Sequence, residues 1–322
     1  MTFPRRLVLL LVPVAALALA LAACKSGGDS GDGGNGGAFP TSVPLGEGDI
    51  FAVINNSSLA VGDNRLSLAF FDAEDRVIED AAVHLAFFDL NGEEPVQKSE
   101  ADARYVPVEL FYIDEASGQE KRVVGSGGVY VSNVSFDAAG DWGFEAVVTT
   151  DGEAAEPITF QFTVLEDSPE PSVGEPAPPS EQLTLADVDD ISEIDSSFPP
   201  RPHMHEITVA DALALGKPMV VAIGTPAFCE TRVCGPVMEM AVDPNYEKFK
   251  DDVTFIHIEP YQLAELRAGE ARIPVAATED WGITSEPWTF VVDSDGLVAA
   301  KFEGVTAADE IEAALADLLA GA

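Results

Sequence analysis

Pro218-Met219-Val220-Val221-Ala222-Ile223-Gly224-Thr225-Pro226-Ala227-Phe228-Cys229-Glu230-Thr231-Arg232-Val233-Cys234-Gly235-Pro236 is the stretch on which the reading of this chain turns. An unbroken apolar run, the pattern of a buried strand, leads into Cys229 and Cys234 at the predicted start of a helix. At about 100° per residue, positions five apart on a regular helix point about 140° away from each other. A disulfide needs its two Cα atoms within roughly 7 Å. Cys229 is therefore expected in the loop before the helix, or the first helical turn is irregular. Glu230-Thr231-Arg232-Val233 then forms a wide loop between the two sulfurs.

At a helix start, free backbone N–H groups and the helix dipole favour a thiolate over a thiol. Arg232 adds to that effect, whereas Glu230 and the general acidity of the chain oppose it. Cys229, nearer the exposed loop, is assigned as the attacking nucleophile and Cys234 as the resolving thiol, with exchange through a mixed disulfide. A static structural disulfide, natural in an oxidising compartment, is the competing assignment for the same pair.

Working outward, the segment 207–216 suits a short helix and Val253-Thr254-Phe255-Ile256-His257-Ile258 a second buried strand. Two strands, 288–293 and 296–302, meet at the turn Asp293-Ser294-Asp295-Gly296. A final amphipathic helix carries Ile311, Leu315, Leu318 and Leu319 on one stripe. Ahead of the cysteines, proline alternates with acids from Glu166 to Pro202, which predicts a semi-rigid linker. Earlier still, the runs 50–54, 65–71, 82–88, 129–136, 142–148 and 158–164 alternate with period two between turn residues, the pattern of an antiparallel β-sandwich. His84 falls in one of those strands as a structural residue, and this half holds no acid–base constellation, so it is expected to act as a spacer or a protein-contact surface.

The N-terminus has the parts of an export signal: Arg5 and Arg6, an apolar core from Leu7 to Leu21, and Ala22-Ala23 before Cys24. The Gly-rich run after Cys24 is too poor in apolar residues to pack and predicts a flexible tether. With 17 Lys+Arg against 56 Asp+Glu, the net charge of −39 excludes nucleic acid as a partner and disfavours anionic lipid headgroups.

Leu21-Ala22-Ala23-Cys24 resembles the lipobox of bacterial lipoproteins. That resemblance implies lipidation at Cys24, attachment to the cell membrane through the acyl chains and an extracytoplasmic location. Phe136-Asp137-Ala138-Ala139-Gly140-Asp141-Trp142-Gly143-Phe144 resembles a corner of immunoglobulin-like bacterial modules of the YtkA and FixH type. Three features resemble membrane-tethered thioredoxin-like domains: the cysteine pair after a Lys-Pro-apolar strand, Trp281-Gly282-Ile283-Thr284-Ser285-Glu286-Pro287, and the hairpin Phe290-Val291-Val292-Asp293-Ser294-Asp295-Gly296. This resemblance implies that Pro287 is a cis proline facing Cys229 and Cys234, and that the partners are a cysteine-containing extracytoplasmic protein and an electron donor or acceptor, with no cofactor. The chain departs from the thioredoxin pattern twice, in the wider cysteine spacing and in Ile223, which stands where thioredoxins carry a buried aspartate.

The expected organisation is multidomain: a signal peptide 1–23, a tether 24–44, an all-β immunoglobulin-like sandwich 45–166, a linker 167–202 and an α/β thioredoxin-like domain 203–322. Two competing functions are a copper-handling protein resembling the Sco type, with Cys229, Cys234, His203 and His205 as ligands, and a non-catalytic binding lipoprotein with a structural disulfide. A peroxidatic role resembling atypical peroxiredoxins fails because Pro226 stands where those proteins carry threonine.

Overall fold

The computed structural model describes residues 50–114 and 119–321. The expected signal peptide, the lipidation site Cys24 and the tether lie outside the described residues. Among those described, no helix is long and apolar enough to cross a membrane.

Eight strands form the first sheet: β1 (Ile50–Ile54), β2 (Gly62–Asp72), β3 (Ala82–Asp89), β4 (Val96–Asp114), β5 (Gln119–Phe136), β6 (Gly140–Thr150), β7 (Glu153–Ala154) and β8 (Ile158–Val164). They run β1-β2-β5-β4-β3-β6-β7, with β8 also on β6, and every pair is antiparallel. The two longest strands change partner along their length. β4 pairs with β3 up to Ala103 and with β5 from Arg104 onward, while the end of β5 pairs with β2. One sheet thus curls around a single core in which Leu66, Leu68 and Phe70 meet Val83, Leu85, Phe87, Trp142 and Phe144. The curl is held at its seam, where Val61 N–H donates to the Leu165 carbonyl (2.9 Å) and Leu165 N–H to that of Leu59 (2.8 Å).

The second sheet contains β9 (Met219–Ile223), β10 (Thr254–Ile258), β11 (Trp288–Val292) and β12 (Val298–Glu303) in the order β10-β9-β11-β12. β9 and β10 are parallel, and the other pairs antiparallel. All five residues of β9 and of β11 are buried, so both faces are covered. Met219, Val221, Ile223, Phe290 and Val292 enter one apolar cluster, and Val220, Ala222 and Val291 the other.

Around this sheet lie α1 (Val209–Ala214), α2 (Cys234–Val237), α3 (Asp243–Phe249), α4 (Leu263–Arg267), α5 (Ala276–Asp280) and α6 (Ala308–Ala320). Of these, α6 alone exceeds seven residues. The expected fold class is thereby corrected. The described chain is mostly β, a curled eight-stranded antiparallel sheet with a four-stranded sheet, and no α/β thioredoxin core is evident in it. Local chemistry accounts for the short helices. Pro244 has no N–H to donate, and the turn Met238–Val242 before it widens to π geometry, with the Asp243 N–H reaching back to the Met238 carbonyl. Gly216 and Gly269, both at positive φ, follow the ends of α1 and α4.

The stretch 167–202, expected as a linker, packs on the second sheet. Pro176 bridges to Leu297, Ala177 and Ile194 are buried, and Lys301 donates to the Glu170 carboxylate (2.8 Å). The two sheets also meet directly. Val106, Val108, Val129 and Val131 form a small apolar core with Val305. Arg65 grips Glu310 with two bonds (2.7 and 2.9 Å) and donates to the Val305 carbonyl (2.8 Å), with both side chains largely buried. Its guanidinium also sits 5.9 Å from the Phe302 ring centre.

Removing one partner of a buried pair leaves the other charge uncompensated. Arg65→Ala is expected to lower stability by about 3 kcal/mol, read as a fall in the urea midpoint at unchanged slope.

Candidate functional site: the Cys229–Cys234 loop

β9 is apolar throughout and is held between β10 and β11, so the position at which it releases the chain is fixed. That position is Gly224. Its N–H continues the parallel pairing to the Ile258 carbonyl (3.0 Å), and its own carbonyl accepts a hydrogen bond from His257 Nε2 (2.9 Å). A Cβ at this residue would stand 3.2 Å from Pro287 Cβ and 3.5 Å from Cys234 Cβ. Glycine is needed here for close approach.

Beyond it the chain turns through 226–228, and Arg232 takes a positive φ of 61° before α2 begins at Cys234. Cys229 thus lies in the loop, one of the two placements that the helical geometry allowed. The two cysteines form a disulfide with Cα atoms 6.0 Å apart. Cys234 is fully buried and Cys229 partly exposed. The Cys234 N–H points at Cys229 Sγ (3.3 Å), and Thr231 Oγ1 lies 3.2 Å from the same sulfur.

Pro287 follows a cis peptide bond and packs against Gly224 and, through it, the cysteine loop. The residue before it, Glu286, brings a carboxylate oxygen within 4.8 Å of both sulfurs. Arg272 donates to Glu286 Oε1 (2.9 Å) and the Tyr261 hydroxyl to Oε2 (2.9 Å). Arg272 also donates to the Phe228 carbonyl (2.6 Å) and lies 3.3 Å from Glu230, clamping the loop to the Glu286 side. Burial raises the Tyr261 pKa, and so does the bond to Glu286, which keeps the phenol a donor. Glu230 is drawn off to Arg272 at the surface, and Arg232 is exposed.

The histidines are distributed differently from the expected copper set. His203 lies against the Tyr246 ring, with centroids 4.0 Å apart, and burial lowers its pKa. His205 is buried with His257 and Asp195, and among the described residues the ligand-type group at the cysteines is Cys229, Cys234 and Glu286. The short turn Pro202–Met204 accounts for this separation, because it drives Met204 into the core between the two histidines. His84 is exposed and bonds Asp102 (2.9 Å).

Reasoning from the sequence missed Glu286, Arg272, Tyr261 and Asp195. Glu286 had a signal in its place beside Pro287. The other three come from segments whose approach only the folded chain reveals.

No family model matches this chain, and no curated protein matches it. Among solved structures, a DUF4426 family protein from Pseudomonas aeruginosa PAO1, known from a crystal structure, shares 15% identity over 37% of this chain and 91% of its own, with a TM-score of 0.23. A likeness at that score carries no argument about fold or function.

Of the two nearest neighbours a Cβ at Gly224 would meet, the ring-closed Pro287 at 3.2 Å is the tight one, while Cys234 Cβ at 3.5 Å is at ordinary contact distance. Gly224→Ala is expected to cost about 1–3 kcal/mol by overpacking, measured by thermal or denaturant unfolding with the disulfide intact.

Proposed function

We propose that Cys229 and Cys234 are a redox-active pair and that the protein is an extracytoplasmic, lipid-anchored thiol–disulfide oxidoreductase. The observation that carries this reading is the asymmetry of the disulfide: one sulfur meets solvent beside a backbone N–H, the other is buried, and a carboxylate stands within 4.8 Å of both. The anchor rests on the leader and on Cys24.

In the reduced protein, the Cys229 thiolate attacks one sulfur of a partner protein's disulfide, and the partner's other sulfur leaves as a thiolate. The Cys234 thiolate then attacks Cys229 Sγ, the mixed disulfide breaks, and the second partner sulfur leaves. The Cys229–Cys234 bond re-forms with two electrons passed to the partner. The reverse sequence oxidises a partner dithiol. Cys234 must lose a proton to act and regain one when it leaves, and we assign that exchange to the Glu286 carboxylate, within 4.8 Å of both sulfurs, by way of a bridging water. The Cys234 N–H, directed at Cys229 Sγ, favours that sulfur as the thiolate. Arg272 and Tyr261 hold Glu286 in position.

Equilibration in graded thiol–disulfide buffers, with free thiols alkylated and counted by mass, tests the reading. A reversible two-thiol transition between roughly −270 and −120 mV, the span of known exchange proteins, is expected. A pair that stays oxidised below about −300 mV is a structural disulfide, and the binding-lipoprotein alternative replaces the enzyme.

A further inference from the structure

Beneath the cysteine loop, Asp195, His205 and His257 converge from three segments that are far apart in the chain. All three are buried, at 2%, 3% and 1% exposure. His257 Nδ1 is 3.3 Å from His205 Nε2 and 3.6 Å from Asp195 Oδ1, and His205 Nε2 is 3.4 Å from Asp195 Oδ2.

Hydrogen bonding fixes what these atoms can be. A carbonyl only accepts, so His257 Nε2 carries the proton that bonds Gly224, and Nδ1 of the neutral ring is a bare lone pair. Asp195 already accepts the N–H groups of Ser197 and Arg201 (2.7 Å each), which hold it as a carboxylate. His205 Nε2–H can serve either His257 Nδ1 or Asp195 but not both fully. Two electron-pair donors therefore face each other in a buried space with at most one proton between them, an arrangement that a cation completes.

The spacing fits a particular kind of cation. Bonds of about 2.0–2.1 Å to nitrogen and oxygen in a tetrahedral site put neighbouring ligand atoms about 3.3–3.4 Å apart; His205 Nε2 stands 3.3 Å from His257 Nδ1 and 3.4 Å from Asp195 Oδ2, while His257 Nδ1 meets the other carboxylate oxygen, Oδ1, at 3.6 Å. An imidazole that ligates through one nitrogen usually donates its other N–H to a carbonyl or carboxylate, as His257 does to Gly224. The group opens on a cavity of about 540 Å³ lined by His205, His257, Glu259, Ile194, Tyr261 and Leu263, among others. Glu259 is 6% exposed. Its Oε1 accepts the Ser196 N–H (2.7 Å), while Oε2 has no hydrogen-bond partner among the described residues.

We propose that Asp195, His205 and His257 form a binding site for a divalent transition metal of the zinc class, separate from the cysteine pair and facing the cavity that Glu259 lines. The two nitrogens and the carboxylate are the protein ligands. The fourth position faces the cavity and admits water or a small ligand, with Glu259 beside it. The site does not depend on whether the disulfide cycles. Through the His257–Gly224 bond, an occupied site would stiffen the floor of the cysteine loop.

The test uses the full chain, stripped of metal and with the disulfide kept oxidised so that thiolates do not compete. Titration with Zn²⁺ followed by calorimetry and native mass spectrometry is expected to show one ion per chain. Asp195→Asn and His205→Gln should each weaken binding by at least about 10-fold, while His84→Gln, at an exposed histidine outside the site, should leave it unchanged. X-ray absorption at the zinc edge of the wild-type protein answers the same question without any variant that might misfold. It is expected to show nitrogen and oxygen neighbours with imidazole scattering and no sulfur. Failure to bind, sulfur in the zinc shell, or full binding by a folded His205→Gln protein would each overturn the proposal.

Discussion

Gly224 is the point on which the rest of the site depends. Its two backbone polar groups are committed to opposite tasks. The N–H extends the β9–β10 pairing to Ile258, and the carbonyl fixes the tautomer of His257. Its missing side chain lets Pro287 and Cys234 close in from the remaining side. One residue thereby sets the height of the cysteine loop, the approach of the proline and the orientation of the buried histidine. A buried, fully apolar strand is what makes such a point rigid, because packing on both faces of β9 leaves it no freedom to slide.

The charge of the chain explains where its cations go. With 56 acidic side chains and 17 Lys+Arg, most carboxylates must stay solvated. Four bases are themselves largely buried against a carboxylate: Arg65 on Glu310, Arg201 on the partly exposed Asp243, Arg272 on Glu286 and Lys301 on Glu170. Three of these contacts join segments distant in the chain, and two hold the second sheet to what precedes it. Arg272 serves the cysteine loop directly. Surface pairs such as Lys248–Glu312 contribute little by comparison, because water screens them.

The sequence was most legible where one physical rule dominated. Period-two alternation marked Leu66, Leu68 and Phe70 in β2, and Trp142, Phe144, Ala146 and Val148 in β6, all buried in the first core. The angular argument left Cys229 either in the loop or in an irregular first turn, and the chain takes the first; the stripe through Ile311 and Leu315 is the buried face of α6. Strand β4 escaped notice because its half-buried positions early on, Ser99, Ala101 and Ala103, are too small or polar to read as an apolar alternation against Glu100, Asp102 and Arg104. Without β4, the change of partners that turns two expected sheets into one curled sheet could not be foreseen. The fold class was misjudged in the second half because the order of apolar runs does not reveal how short the helices between them are, and Pro236 and Pro244 bear on that length. The stretch 167–202 reads as a spacer by composition, yet it supplies Asp195 to the interior, where bonds from Ser197 and Arg201 satisfy it.

The most direct measurement on the central claim is the reactivity of each cysteine in the reduced, folded protein, followed by pulsed alkylation across a pH series with peptide mass mapping. Cys229 is expected to react first, with half-reaction at a pH below the value of about 8.5 for an ordinary cysteine, while Cys234 stays protected. Equal reactivity of the two, or no reaction until the protein unfolds, would contradict a solvent-facing nucleophile at Cys229 and leave the pair a structural bond.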